Sequence, residues 1–92
     1  MDHSAQKKDP REVPNFSRHR QHPTLIQLGS AIRQARIERG IAQEKLALIA
    51  EVDRSYVGRV ERGDNNIAIL TLEKLAHAME MTISELIALA KL

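Results

Sequence analysis

The sequence predicts an all-α protein, and two observations carry that prediction. Apolar residues recur at helical spacing along most of residues 24–92. Between residues 43 and 63, two short helical patterns follow one another across a turn of about four residues, and helices joined in this way meet at a wide angle. A single compact domain of five helices is therefore expected over residues 24–92, after an N-terminal extension.

The composition is that of one small domain with an aliphatic core. The chain has 92 residues, with one Phe, one Tyr and no Trp, so aliphatic side chains must fill the core. Without Cys, neither a disulfide framework nor a thiolate metal site is expected. No apolar run approaches the roughly 18 residues of a transmembrane helix, and the polar N-terminus fits no secretory signal. These observations predict a cytoplasmic protein with no membrane partner.

Residues 1–23 predict a flexible extension. All three prolines lie in this segment, which offers little apolar surface to bury. A basic arm that follows phosphates through Arg18 and Arg20 is the sharper alternative. A metal site at His19 and His22 is not expected, because no carboxylate partner has suitable spacing.

The first helix is predicted from residue 24 to about 39. Thr24 and Gln27 have the spacing of a capping box, and Gly40 provides a C-terminal stop. One face of this helix is apolar except for Arg36, and a charge on an apolar face needs a partner.

The second helix is predicted at residues 43–50 and the third at residues 54–62. Asp53 stands at the N-cap of the third helix, where its carboxylate can accept from free backbone N–H groups. Gly63 stands where a left-handed C-terminal residue belongs. Gly58 in the helix interior costs up to about 1 kcal/mol relative to Ala. Either it permits a close approach or it is merely tolerated.

The polar face of the third helix indicates a function. Arginine presents a flat fork of donors that matches guanine or a phosphate, and hydroxyl groups suit phosphate oxygens and base edges. At the start of the second helix, Gln43 and the free backbone N–H groups suit a phosphate. The alternative is an ordinary solvated face. The polar residues in question are Arg54, Ser55, Tyr56, Arg59 and Arg62.

The last predicted helix suggests a dimer. Thr82 and Glu85 form a capping box at its start, and one apolar face closes the core. Leu89 and Leu92 lie on another part of its circumference, which predicts a partner surface, although a frayed terminus is the alternative. The last two helices are predicted at residues 69–79 and 83–91.

Four pieces of sequence together resemble those of a known family. In this order and spacing they are similar to the Cro and phage-repressor helix-turn-helix group, the XRE-type transcriptional regulators. The resemblance implies a compact five-helix domain whose third helix enters the major groove of DNA. The pieces are LGSAIRQARIERG at 28–40, QEKLA at 43–47, VDRSYVGRVERG at 52–63 and LEKLAHAM at 72–79.

The resemblance also implies DNA-contact roles. Residues matching Arg54, Ser55 and Arg59 reach base edges in the family. The polar loop that contains Asn65 and Asn66 touches the phosphate backbone, although Asn also favours turns unaided.

Structural roles follow from the same resemblance. Arg36 is implied to pair with Glu61, bracing the first helix against the third, whereas two independent surface charges are the alternative. Three positions depart from the family pattern. Ala42 replaces a capping Ser or Thr. Glu51 replaces the glycine of the turn and is expected to carry positive-φ strain, and Glu80 replaces the glycine that usually ends the fourth helix.

The leading interpretation is a bacterial, sequence-specific DNA-binding transcriptional regulator that acts as a homodimer on paired half-sites. A small repressor, a controller protein of a restriction–modification system and an antitoxin-type autorepressor are narrower alternatives. A protein-interaction module on the same fold is the runner-up. An enzyme is the third class, and no nucleophile with a base, phosphate loop or metal motif supports it. No cofactor and no small-molecule effector is evident.

Overall fold

A computed structural model describes residues 19–92, and this region contains five helices and no strand. The predicted all-α class is confirmed. None of the helices described is long and apolar enough to cross a membrane. The predicted basic-arm residue Arg18 lies outside the described residues. The helices are α1 (Pro23–Glu38), α2 (Gln43–Ala50), α3 (Arg54–Glu61), α4 (Ile69–Ala78) and α5 (Ile83–Leu89).

Aliphatic side chains from all five helices form one core. Helix α3 packs against both α1 and α2, α4 packs against α2, and α5 packs against α1 and α4. The apolar side of α3 is therefore buried, and its polar side remains at the surface. The largest fully buried side chains are those of Ile32, Leu46, Val57, Leu75, Met79 and Leu86.

Helix α1 crosses the C-terminal end of α3 at very short range. A Cβ atom on Gly29 would lie 2.3 Å from the carbonyl oxygen of Val60 and 2.7 Å from that of Glu61. Close packing leaves no room for such an atom, so the absence of a side chain sets the distance between the two helices. At Gly63, a Cβ atom would lie 2.9 Å from the side chain of Ile26.

The capping box predicted at Thr24 and Gln27 is wrong. Helix α1 begins one residue earlier, at Pro23, and His22 is its N-cap. The His22 Nδ1 atom accepts from the backbone N–H of Thr24 at 3.1 Å. Proline suits the first helical position because its missing N–H would have no partner there, and the cap moves back accordingly. The Gln27 amide instead donates to the carbonyl oxygen of Ala90 at 3.3 Å.

The other predicted caps have mixed outcomes. The box at α5 is confirmed, because Thr82 Oγ1 accepts from Glu85 N at 3.0 Å and Glu85 Oε1 accepts from Thr82 N at 2.8 Å. Asp53 does occupy the N-cap of α3, but its carboxylate makes no capping hydrogen bond. Water can satisfy the first N–H groups at such an exposed helix start.

Two glutamates adopt the left-handed conformation, as the sequence predicts for Glu51. Glu51 has φ of 60° after α2, and Glu80 has φ of 59° after α4. An L-residue in this conformation costs roughly 1–2 kcal/mol. Ala42 begins α2 without a side-chain hydrogen bond. The fold therefore carries local strain at the ends of two helices.

The C-terminus differs from its prediction. Helix α5 ends at Leu89, two residues early, and Lys91 has φ of 61°. The chain turns back, so that the backbone N–H of Leu92 donates to the carbonyl oxygen of Ile87 at 3.2 Å. Leu89 packs partly buried against the core, whereas Leu92 is 47% exposed. The two leucines therefore do not form a continuous exposed helix stripe, because the backbone leaves the helix between them.

Candidate nucleic-acid interface

The first turn of α3 projects into solvent. Arg54 and Ser55 are both exposed there. Helix α3 has eight residues, and at 1.5 Å per residue it is about 12 Å long, close to the width of the DNA major groove. The length of α3 is therefore compatible with the width of this groove.

Tyr56 and Arg59 form a half-buried pair in the middle of α3. The Arg59 guanidinium carbon lies 5.8 Å from the centre of the Tyr56 ring, within cation–π range. Burial raises the pKa of Tyr56, while the charge of Arg59 and a hydrogen bond with Thr71 oppose that rise. The Nε atom of Arg59 is buried without a hydrogen-bond partner. An unsatisfied buried donor of this kind costs about 1–3 kcal/mol.

A buried carboxylate braces the C-terminal end of α3. Arg36 Nε donates to Glu61 Oε2 at 2.6 Å, and Arg36 Nη2 donates to Oε1 at 3.0 Å. This bidentate pair is strong, and both residues are less than 10% exposed. The hydrogen bond to Glu61 holds the pKa of Arg36 above its ordinary value. Arg36 Nη1 also donates to the carbonyl oxygen of Ile41 at 2.9 Å, which ties in the loop before α2.

Gln43 connects the start of α2 to the same carboxylate. Its Nε2 atom donates to Glu61 Oε1 at 3.0 Å. Its Oε1 atom lies 3.7 Å from the position of a Cβ atom on Gly58, and Arg62 Nη1 lies 3.3 Å from that position. At Gly58 the side chain of Gln43 from α2 therefore approaches that of Arg62 at the end of α3. Gln43 Nε2 uses one N–H for Glu61, so its second N–H is the side-chain donor that suits a phosphate.

The loop after α3 contains a second carboxylate. Arg62 is the C-cap of α3, and its Nε atom donates to Asp64 Oδ2 at 3.2 Å. Asp64 is buried, whereas Asn65 is partly exposed and Asn66 is exposed. A hydrogen bond from Gln21 lowers the pKa of Asp64 below its ordinary value, and burial opposes this shift. Asp64 therefore stays ionised at neutral pH.

None of the eight predicted DNA-contact residues is buried. They occupy the start of α2, helix α3 and the loop that follows it, which are consecutive in the fold. Sequence reasoning missed Gln21, Asp64 and Thr71, because their partners are distant in the chain. Within residues 19–92, no group of three or more His, Asp or Glu side chains is placed to hold a metal ion.

Comparisons with known proteins agree on one family. A helix-turn-helix family model matches residues 32–86. The control protein C.MunI of a Mycoplasma species is 32% identical over 62 residues, which are 66% of this chain and 84% of the relative. The restriction-modification controller protein C.AhdI from Aeromonas hydrophila is 42% identical with a TM-score of 0.66, over 67% of this chain and 94% of the other. The clp gene regulator ClgR from Corynebacterium glutamicum has a TM-score of 0.72 at 25% identity, over 74% and 72% of the two chains.

Proposed function

The chain belongs to the helix-turn-helix family of XRE-type regulators, and we propose that it regulates transcription by binding double-stranded operator DNA. One observation carries the proposal. The buried Glu61 network fixes the C-terminal end of α3, while Arg54 and Ser55 stay exposed at its other end. A rigid helix with an exposed polar first turn suits direct reading of base edges.

The base-reading residues are Arg54, Ser55 and Arg59. A bidentate arginine matches guanine O6 and N7, and a hydroxyl group suits several base edges. Arg59 lies about one turn after Ser55, and its side chain is only partly buried. Tyr56 lies beside Arg59 with its ring in cation–π range of the guanidinium group, and is proposed to belong to the same surface.

The proposed phosphate-contacting residues lie beside this reading surface. The side chains of Gln43 and Arg62 approach each other at Gly58, and Asn65 and Asn66 follow in the loop after α3. Backbone contacts of this kind fix the register of a protein on DNA without reading its sequence. The proposed DNA-binding domain is residues 24–92.

A controller protein of a restriction–modification system is the narrower role that the relatives favour. Two of the relatives described above are named as control or controller proteins, and the more similar of them is 42% identical. ClgR supports the wider class of gene regulators. We propose action in the bacterial cytoplasm without catalysis. Binding to the promoter of an adjacent restriction–modification gene pair supports the narrower role, and binding only at unrelated promoters supports the wider one.

A homodimer is the proposed active form, since paired half-sites lie one helical turn, about 34 Å, apart. Leu89 and Leu92 remain the proposed interface. Ile69 and Leu70 at the start of α4 are a competing surface, with exposures of 62% and 70%. Sedimentation of a Leu89→Glu and Leu92→Glu double variant should show a folded monomer. A dimer that survives this change but dissociates with Leu70→Glu would move the interface to α4.

Selection of bound sequences from a random duplex library tests the proposed function. The expected product is a motif with two symmetric half-sites. Arg59→Ala should weaken binding to the selected duplex by about 1–3 kcal/mol and relax the preference at one base pair. A library without enrichment would favour the alternative, a protein-interaction module on the same fold.

A further inference from the structure

Residues 19–22, called the N-terminal clasp below, form a turn that is fastened to the end of α3. The backbone N–H of Gln21 donates to the carbonyl oxygen of Gly63 at 2.6 Å. Its side-chain Nε2 donates to the carbonyl oxygen of Arg62 at 2.8 Å and to Asp64 Oδ1 at 2.6 Å. Gln21 adopts φ of 65° to make these bonds. One residue of the clasp therefore binds three consecutive residues that follow α3.

Asp64 joins two arginines from different parts of the chain. Arg62 Nε lies 3.2 Å from Asp64 Oδ2, and Arg20 Nε lies 3.7 Å from Oδ1. The Asp64 side chain is 8% exposed, whereas those of Arg20 and Arg62 are 52% and 62% exposed. The carboxylate thus joins both guanidinium groups, and about half or more of each arginine side chain is exposed to solvent. Arg20 and Arg62 therefore form one exposed surface cluster around Asp64.

This cluster lies at the end of α3 opposite to Arg54 and Ser55. Helix α3 is about as long as the major groove is wide, roughly 12 Å. With Arg54 and Ser55 at the bases, the opposite end of α3 approaches a sugar–phosphate backbone. His19 and His22 of the clasp line one cleft together with Asn66 of the loop after α3. The clasp and the proposed phosphate-contacting loop therefore share one side of the molecule.

We propose that Arg20 and Arg62, held by Asp64, form a clamp for a phosphate of the DNA backbone. The N-terminal clasp is then part of the DNA interface, although it precedes the domain that the family pattern covers. This inference rests on the proposed function and adds a contact to it. Gln21 is a positioning residue, since it acts on DNA through Asp64 and the end of α3.

The salt dependence of binding tests the clamp. Arg20→Ala should weaken binding to every duplex alike and reduce the slope of log K against log salt by about one. Between 50 and 200 mM salt, the variant should therefore lose about threefold less affinity than the parent protein. Arg20→Lys should retain the parent slope. Lys74→Ala, which removes one exposed positive charge beside the cleft between α2 and α4, is the matched control and should leave the slope unchanged.

Gln21→Ala adds a test that keeps every charge. Releasing the clasp should reduce the salt slope in the same direction as Arg20→Ala, with the preferred motif unchanged. Melting temperatures of all variants separate contact from folding. An Arg20→Ala slope equal to that of the parent, or weaker binding explained by a lower melting temperature alone, would overturn the clamp. A parent protein without sequence-specific binding would instead overturn the proposed function itself.

Discussion

The two ends of α3 differ in how their side chains are held. At the C-terminal end, the buried Glu61 carboxylate accepts from Arg36 and Gln43, so that three helices meet at one hydrogen-bonded point. At the N-terminal end, Arg54 is exposed and the Asp53 cap makes no side-chain hydrogen bond. From this difference we expect stability and recognition to be separated along one short helix. Changes at one end should therefore alter folding, and changes at the other should alter sequence preference.

Breaking the braced end should have the largest effect. Glu61→Gln leaves the Arg36 guanidinium charged and buried without its counter-ion, which should lower the free energy of unfolding by about 3–5 kcal/mol. Urea denaturation measures this loss, and a variant already unfolded in buffer also meets the prediction. Glu38→Gln on the exposed side of α1 is the charge-matched control. Equal stability of Glu61→Gln and the parent would show that the ion pair does not brace α3.

The second largest loss of stability is expected at the contact between α1 and α3. Gly29→Ala places a methyl group 2.3 Å from a backbone oxygen, so one helix must shift. Overpacking of this kind costs about 1–3 kcal/mol. Thermal or urea unfolding measures the loss, and Ser30→Ala at the exposed neighbouring position is the control. Parent-like stability of Gly29→Ala would mean that α1 can move away from α3 without cost.

Gln43 belongs to the braced end of α3 and is also a proposed DNA contact, so it sharpens the comparison. Gln43→Ala removes a hydrogen bond to the Glu61 carboxylate, which should cost about 1.5 kcal/mol of stability. Binding should weaken for all duplexes alike, and the salt slope should change little because glutamine is neutral. Unfolding curves and isotherms against a duplex panel test both parts. A changed base preference would place Gln43 among the reading residues.

The smallest expected effect is a gain in stability from substitutions that lie outside α3. Glu51→Gly relieves the left-handed strain after α2 and should raise the free energy of unfolding by about 1 kcal/mol, with DNA binding unchanged. Glu80→Gly repeats the test after α4. A loss of stability in both variants would show that the two glutamates are not strained.

Local signals predicted much of this fold. Several of its features depend on residues that are close together in the chain. They are the bounds of α2, the capping box of Thr82 and Glu85, and the left-handed conformation of Glu51 and Glu80. Such features follow from backbone sterics and neighbouring hydrogen bonds, so a sequence pattern can show them.

Long-range packing decided the rest. The hydrogen bond between Gln21 and Asp64 joins residues 43 positions apart, and no local pattern predicts it. The tight contact at Gly29 depends on the path of α1 over α3. The sequence pattern predicts Leu89 on an exposed partner surface, because it does not show that the backbone turns back at Lys91. The roles of the individual DNA-contact residues stay predictions, because base edges lie outside the chain.

The measurement that tests the central claim most directly pairs unfolding with DNA binding for Arg54→Ala. A surface change of this kind should keep the free energy of unfolding within about 0.5 kcal/mol of the parent. Binding to the selected duplex should weaken by about 1–3 kcal/mol, and the preference should relax at a single base pair of a substitution panel. If Arg54→Ala instead destabilised the fold, or bound the whole panel with parent affinity and preference, recognition would not reside at the exposed end of α3.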